Sequence, residues 1–144
     1  MFRNGASQPN VVLVDDDFFS ARQMTRHLGA AGAGAMTHFA SADLAIAGLA
    51  RMTREGTAPD LVIVDLKSSS QASATFVVHL GAIIPQLFVV AMAPSLDRNV
   101  RQSLHNAGAA AVFERCADLE LFKRETNAII EFWRRHGVAD AMAL

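Results

Sequence analysis

Short, continuously apolar runs that lead into aspartate constrain the fold of this chain more than any other feature. Residues 11–14 (VVLV) run directly into three aspartates, and residues 61–64 (LVIV) end at Asp65. Two further runs follow, residues 87–92 (LFVVAM) and the weaker residues 109–113 (AAAVF). Apolar runs of this length, rich in β-branched residues, are typical of strands that are buried on both faces of a parallel sheet.

Helical patterns separate these runs. A poorly alternating run at residues 35–39 predicts one more strand, and a short third helix is predicted over residues 72–80. Asp17, Ser41 and Ser95 are placed to cap the first, second and fourth helices. Apolar residues repeat along one side of the last helix, namely Leu119, Phe122, Ile129, Ile130 and Trp133. Five β-α units in succession predict a doubly wound parallel sheet with right-handed crossovers.

Length and composition favour a single domain with a real core. The chain has 144 residues, of which 51% are hydrophobic. We predict an N-terminal extension (1–9), one domain (10–135) and a C-terminal tail (136–144). The net charge of -1 argues against nucleic-acid or acidic membrane partners. The single cysteine, Cys116, excludes an internal disulfide, and neither a signal peptide nor a membrane span is visible, so we expect a cytoplasmic protein.

Carboxylates follow two of the predicted strands at the same end. Asp15 and Asp16 follow the first apolar run, and Asp65 follows the run at residues 61–64. Ligands of open α/β sheets bind beyond the carboxyl ends of the strands, so neighbouring strands would bring these side chains together. Clustered carboxylates repel one another unless a cation or a proton neutralises them, and Mg²⁺ suits such oxygen ligands. The sequence therefore predicts an acidic, metal-binding pocket, whereas Asp17 is interpreted as a helix cap.

Three stretches together resemble the receiver domain of two-component response regulators: VVLVDDD, PDLVIVDL and AMAPSLDRNVRQSLHNAGAAAVFERC. The resemblance covers roughly residues 11–133 and implies a (βα)₅, flavodoxin-like fold with strand order 2-1-3-4-5. It implies that Asp65 is the phosphoacceptor for a histidine kinase or phosphotransfer protein. It also implies Mg²⁺ bound by Asp15, Asp16, Asp65 and the backbone carbonyl of Lys67. A receiver takes part in its own phosphorylation, so we do not class the chain as an enzyme.

Several positions depart from the pattern of that family. Ala93 stands where the resemblance implies a hydroxyl residue, and Val112 stands where it implies an aromatic switch residue. Cys116 replaces a proline, so we expect a trans Arg115–Cys116 peptide bond. Arg115 replaces a lysine and keeps its charge, which lets it contact a phosphoryl group or form a structural salt bridge with the aspartates.

The loop after Asp65 reads LKSSSQAS and lacks the proline and glycine that are usual in the family. Lys67 in this loop can attract a phosphoryl donor, pair with the acids, or point into solvent. The acidic half of the site is thus present, while the switch half is largely lost. We therefore predict that Asp65 accepts phosphate with Mg²⁺ and drives a weakened switch. The alternative is a phosphorylation-independent pseudo-receiver that acts through protein contacts.

A domain that transmits its signal through protein contacts needs a surface for its partner. The resemblance implies a possible homodimer through the face formed by the fourth helix, the fifth strand and the fifth helix. Phe132 and Trp133 are candidate apolar contacts on the last helix, although the spacing of Trp133 with Ile129 and Ile130 also fits burial in the core.

A hydrolase that forms an aspartyl-phosphate is a competing interpretation. Asp15 and Asp17 have the Asp-x-Asp spacing of such enzymes. Phe18 and Phe19 follow, where those enzymes need a small or hydroxylated residue, so this alternative is disfavoured.

Overall fold

The computed structural model describes residues 8–69, 71–95 and 97–137. Strands and helices alternate along the whole described chain. The strands are β1 (Val11–Asp15), β2 (Met36–Phe39), β3 (Leu61–Asp65), β4 (Val89–Ala93) and β5 (Ala111–Glu114). The helices are α1 (Phe18–Ala30), α2 (Ala42–Arg54), α3 (Ala72–Ile83), α4 (Arg98–Ala107) and α5 (Leu119–Phe132), and a π-helical turn (Trp133–Gly137) follows α5.

The five strands form one parallel sheet in the order β2-β1-β3-β4-β5, which confirms the predicted flavodoxin-like topology. The register between β1 and β3, the two strands that end in aspartate, determines the position of the acidic site. It pairs Val11 with Leu61 at one end and Asp15 with Asp65 at the other. Because these strands start and stop together, their terminal carboxylates lie side by side at the carboxyl edge of the sheet.

The core has two layers, because successive strand residues point to opposite faces. Leu13 and Ile63 pack toward α1 and α5, and Val12 and Val62 pack toward α2 and α3. All residues of β1, β3 and β4 are buried, as continuous apolar strands in a doubly covered sheet should be.

The last helix contributes Trp133 to this core. Its side chain is buried, and its Nε1–H donates a hydrogen bond to the backbone carbonyl of Asp60 at 3.2 Å. Phe132 is half-buried and packs against Phe88 and Phe113. Burial in the core is therefore the correct interpretation of Trp133, and its indole does not form part of an exposed contact surface.

Helix caps agree with the sequence in two cases and differ in one. Asp17 accepts hydrogen bonds from the first turn of α1, and Ser41 accepts one from the first turn of α2, as predicted. The predicted cap Ser95 is wrong: Asp97 immediately precedes α4 and accepts the Val100 N–H at 2.9 Å. A charged carboxylate also interacts favourably with the dipole at the N-terminus of a helix.

Two helices end next to residues that disfavour a helix, and one of them extends beyond its predicted end. Gly108 ends α4 with a φ of 125°, a conformation that glycine adopts without a steric penalty. The third helix runs to Ile83, three residues beyond the predicted end, and stops just before Pro85. Most of the predicted extension (1–9) and tail (136–144) lies outside the described residues. No helix in the described part of the chain is long and apolar enough to span a membrane.

Candidate functional site

Asp15 and Asp65 lie next to each other at the ends of β1 and β3. They are paired across the two strands, and their side chains are only 0% and 1% exposed, respectively. Asp16 follows directly and is half-buried. The structure thus brings together the strand-end carboxylates that the sequence predicted to converge. Two carboxylates this deeply buried need nearby positive charge or a proton.

The carboxylate of Asp16 is bound by the loop that follows β3. Its Oδ1 accepts the backbone N–H of Lys67 at 2.8 Å, and its Oδ2 accepts the N–H of Ser68 at 2.9 Å. Partial burial raises the pKa of Asp16, but the hydrogen bonds from Lys67 and Ser68 outweigh that effect and hold the pKa below its usual value. An ionised Asp16 therefore ties the start of this loop to the end of β1.

The side chain of Lys67 reaches into the acidic pocket. Its Nζ lies 2.7 Å from Asp15 Oδ1 and 3.0 Å from Asp65 Oδ2, and it donates a longer hydrogen bond of 3.3 Å to the Asp65 backbone carbonyl. The Lys67 side chain is only 22% exposed. Among the three orientations left open by the sequence, the structure therefore has the ammonium group paired with the acids.

Arg115 covers the other side of Asp65 from the end of β5. Its Nε and Nη2 both donate to Asp65 Oδ1, the former at 2.8 Å, and its side chain is 27% exposed. Its backbone N–H donates to the Ala93 carbonyl at 2.7 Å, which extends the β4–β5 pairing and fixes the base of the side chain. Of the two roles considered for Arg115, the structure contains the salt bridge with the aspartate.

Burial raises the pKa of Asp15, and the hydrogen bonds from Lys67 and from the Asp17 backbone partly offset this rise. Within residues 8–69, 71–95 and 97–137, Asp15 Oδ2 and Asp65 Oδ2 are buried atoms that make no hydrogen bond. Asp65 Oδ2 forms an ion pair with the Lys67 ammonium group but accepts no hydrogen bond from it.

The side chains of the predicted Mg²⁺ ligands are close in space, and each of them contacts other groups of the chain. Asp16 faces the amides of the loop, and the Lys67 ammonium lies between the other two carboxylates. Across the described residues, no three His, Cys, Asp or Glu side chains form a group that could hold a metal ion. The role of the Lys67 backbone carbonyl as a ligand stays a prediction.

The expected switch positions lack switch chemistry. Ala93 is buried at the end of β4 and carries no hydroxyl group. Val112 packs with the small cluster around α4, whereas its neighbour Phe113 points to the opposite layer of the core. No peptide bond in the described residues is cis, so the bond before Cys116 is trans as predicted. Burial, followed by nearby acidic side chains, raises the pKa of the half-buried Cys116 thiol.

A pocket of about 340 Å³ lies beside the Asp65 ion pairs, between α3 and α4. Ala93, Val100 and Leu104 contribute apolar surface, and Lys67 and Arg115 line it as well. A larger, hydroxylated side chain at position 93 would enter this space. The pocket therefore marks the place where the expected phosphoryl-binding hydroxyl is missing.

One supporting residue was missed by the sequence analysis. Ser73 is buried in the first turn of α3, and its hydroxyl accepts the Leu66 N–H at 3.0 Å. This hydrogen bond fixes the backbone between Asp65 and Lys67. In the sequence, Ser73 is a single serine among the apolar residues of the third helix. Because serine is common on the solvent-exposed faces of helices, its burial could not be predicted from the pattern.

Comparisons with known proteins identify the fold. The sequence matches no protein-family model, and no curated protein matches it. The phosphorylated cyanobacterial phytochrome response regulator RcpA has a TM-score of 0.72 at 15% identity, covering 88% of this chain and 94% of its own. The Mn²⁺-bound response regulator Rcp1 has a TM-score of 0.70 at 14% identity, covering 89% and 96%. A CheY-like receiver domain protein from Methanospirillum hungatei has a TM-score of 0.72 at 16% identity, covering 92% and 98%. The chain therefore has the fold of response regulator receiver domains.

Proposed function

We propose that this chain is a pseudo-receiver: a signalling domain of the two-component type that acts through protein contacts and does not depend on phosphorylation of Asp65. One observation carries the proposal. The Asp65 side chain is almost completely buried, with Arg115 bonded to its Oδ1 and the Lys67 ammonium in contact with its Oδ2.

Phosphoryl transfer to a carboxylate requires a free oxygen lone pair in line with the phosphorus atom. Two N–H groups of Arg115 occupy Oδ1 of Asp65, and Oδ2 is buried against Lys67. The cations also withdraw negative charge from the attacking oxygen. An incoming phosphohistidine would therefore have to displace at least one buried ion pair before it could meet the nucleophile.

Side chains that would respond to a phosphoryl group are also missing. Ala93 offers no hydroxyl group to bind a phosphoryl oxygen, and Val112 has no polar end that could exchange between core and solvent. A ligand shifts a conformational equilibrium only when it interacts differently with the two states. A phosphoryl group at Asp65 would lack these differential contacts, so its effect on the fold would be small.

Exposed aromatic residues beside the site support a role in protein contacts. Phe18 and Phe19 at the start of α1 are 70% and 72% exposed. Phe19 borders the same pocket as Asp65, Arg115 and Leu119. Interaction surfaces are marked by exposed apolar residues that lie together, and Phe19 and Leu119 are both exposed at the rim of this one pocket. The homodimer through α4, β5 and α5 stays a prediction.

A second candidate is the phosphorylated receiver, in which Asp65 accepts a phosphoryl group from a histidine kinase or phosphotransfer protein. Two buried carboxylate oxygens without hydrogen bonds favour it, because Asp15 Oδ2 and Asp65 Oδ2 could serve as ligands of a cation. One protein of similar fold binds Mn²⁺. In this candidate Mg²⁺ is held by these groups together with Asp16 and the Lys67 carbonyl, Arg115 contacts the phosphoryl group, and the Lys67 ammonium has to leave the pocket.

Intact mass measurement separates the two candidates. The full chain and its Asp65→Asn variant are incubated with Mg²⁺ and a small-molecule phosphodonor, and separately with beryllium fluoride. A receiver domain known to be phosphorylated is treated in parallel as the positive control. We expect the control to gain a phosphoryl group, whereas this chain gains none. We also expect no change in the circular dichroism spectrum of this chain when beryllium fluoride is added.

A phosphoryl adduct on the wild-type chain that Asp65→Asn abolishes would refute the pseudo-receiver and establish the second candidate. An adduct that persists in Asp65→Asn would lie on another residue, and would leave the proposal for Asp65 in place.

A further inference from the structure

The ammonium group of Lys67 lies where an acidic pocket of this kind needs a cation. It contacts one carboxylate oxygen of Asp15 and one of Asp65, and also the Asp65 carbonyl. The two carboxylates come from neighbouring strands in matched register, so their spacing is fixed by the sheet. Charge neutralisation at this position stabilises the pair of buried acids.

A divalent metal and this ammonium group cannot share the space. Mg²⁺ binds carboxylate oxygens at about 2.0–2.1 Å and keeps a full octahedral shell. The Nζ of Lys67 is already 2.7 Å from Asp15 and 3.0 Å from Asp65. An ion bound to the same oxygens would lie within a few ångströms of a positive charge and would be repelled strongly in this poorly solvated pocket.

Asp16 fixes the lysine in this position. Its two carboxylate oxygens accept the backbone N–H groups of Lys67 and Ser68, so the loop that carries the ammonium group is bound by the third predicted metal ligand. Ser73 holds the same loop from α3 through the Leu66 N–H. The loop geometry therefore directs the lysine inward and at the same time occupies the Asp16 carboxylate.

We propose that Lys67 is a built-in counter-cation that takes the place of a divalent metal between Asp15 and Asp65. With Arg115, it balances the two buried carboxylates charge for charge. The pocket then needs no Mg²⁺ for its stability and does not bind it. This inference rests on the proposed function, because both concern the pocket around Asp65, but it makes a separate claim about metal binding.

Removal of the ammonium group should create a metal site. Without it, Arg115 still pairs with Asp65, but the buried Asp15 carboxylate loses its cation and keeps only the hydrogen bond from the Asp17 N–H to its Oδ1. Oδ2 of Asp15 and Oδ2 of Asp65 remain buried without a hydrogen bond. The remaining carboxylates are hard oxygen donors that suit Mn²⁺ or Mg²⁺. We therefore expect Lys67→Ala to bind Mn²⁺ at least about tenfold more tightly than the wild-type chain, because a repulsive charge at short range is gone.

Titration of the full chain with Mn²⁺, followed by calorimetry and by the electron paramagnetic resonance signal of free Mn²⁺, tests this. Lys123→Ala is the matched control, because Lys123 is the other lysine of the sequence and forms only an exposed pair with Glu120. We expect no saturable Mn²⁺ binding by the wild type or by Lys123→Ala. Lys67→Ala should bind Mn²⁺, Asp15→Asn in that background should abolish the binding, and Mn²⁺ should raise the Tm of Lys67→Ala alone.

Lys67→Met keeps the aliphatic volume and serves as a second variant if Lys67→Ala does not fold without metal. Recovery of folding by Mn²⁺ in either variant supports the inference. Saturable binding by the wild type as tight as in the variants would overturn it, as would the absence of any gain in both. An Asp65 adduct on a wild-type chain that binds no metal would refute only the proposed function. Tight metal binding by a wild-type chain without an adduct would refute only this inference.

Discussion

Removal of the Arg115 guanidinium group should destabilise the fold by exposing the cost of a buried carboxylate. Breaking a buried ion pair from one side typically costs about 3–5 kcal/mol. Asp65 keeps its contact with Lys67 at 3.0 Å, and the Arg115 side chain is already partly hydrated, so the loss should lie at or below the lower end of this range. We expect Arg115→Ala to lower the free energy of unfolding by about 2–3 kcal/mol.

A double-mutant cycle isolates the contribution of the ion pair. Asp65→Asn removes the buried charge and leaves Arg115 free to interact with water, so Arg115→Ala in that background should cost less than about 1 kcal/mol. The coupling energy between the two positions should then exceed about 1 kcal/mol. Urea unfolding followed by circular dichroism at pH 7 measures all four chains.

The exposed pair between Arg51 and Glu55 on α2 provides the control. Its atoms are 3.2 Å apart, but both side chains are mostly in solvent. Arg51→Ala should therefore change the free energy of unfolding by less than about 0.5 kcal/mol. Equal costs for Arg51→Ala and Arg115→Ala, or a coupling near zero between Arg115 and Asp65, would refute the argument that Asp65 is buried beneath a necessary cation.

Two further predictions concern the hydrogen bonds that position the site. Asp97→Ala should destabilise the fold by about 1 kcal/mol through loss of the α4 cap, whereas Ser95→Ala should have an effect below about 0.5 kcal/mol, as measured by urea unfolding. Asp16→Asn should cost about 1 kcal/mol at pH 7 through a weakened bond to the loop. The pKa of Asp16 in the folded state lies below its usual value of 3.8. The destabilisation by Asp16→Asn should therefore be fully present above pH 3.8 and disappear as the pH falls through the folded-state pKa. A destabilisation that is the same at pH 7 and pH 3 would contradict the role of the ionised Asp16 carboxylate.

The doubly wound parallel sheet could be predicted from the pattern of the sequence, whereas the strand order 2-1-3-4-5, which makes the first and third strands neighbours, was implied only by the resemblance to receiver domains. Continuous β-branched runs separated by helical patterns leave few arrangements other than a doubly wound parallel sheet. The matched lengths of the runs before Asp15 and Asp65 then place both aspartates at one edge. The cap of α4 was missed because Ser95 and Asp97 are both good capping residues, and only the position of Arg98 as the first helical residue distinguishes them.

The direction of the Lys67 side chain could not be predicted in the same way. A lysine in a polar loop usually points into water, because its ammonium group is strongly hydrated and its side chain loses entropy when fixed. Nothing in the neighbouring sequence opposes this preference of the lysine for water. The attraction that draws the ammonium group inward arises only after folding, when the register of β1 and β3 places two carboxylates together in a poorly solvated pocket.

The negative charge of the two buried carboxylates has to be balanced by a nearby cation. Whether strand-end aspartates bind a metal therefore depends on whether a cationic side chain already occupies the pocket. The Asp16 carboxylate holds the Lys67 amide at 2.8 Å, so the ammonium group is delivered within the chain at a fixed position and at high effective concentration. A metal ion from solution would have to displace it. Strand-end aspartates therefore identify the electrostatic requirement of the pocket, whereas the residue two positions after Asp65 decides which cation meets it.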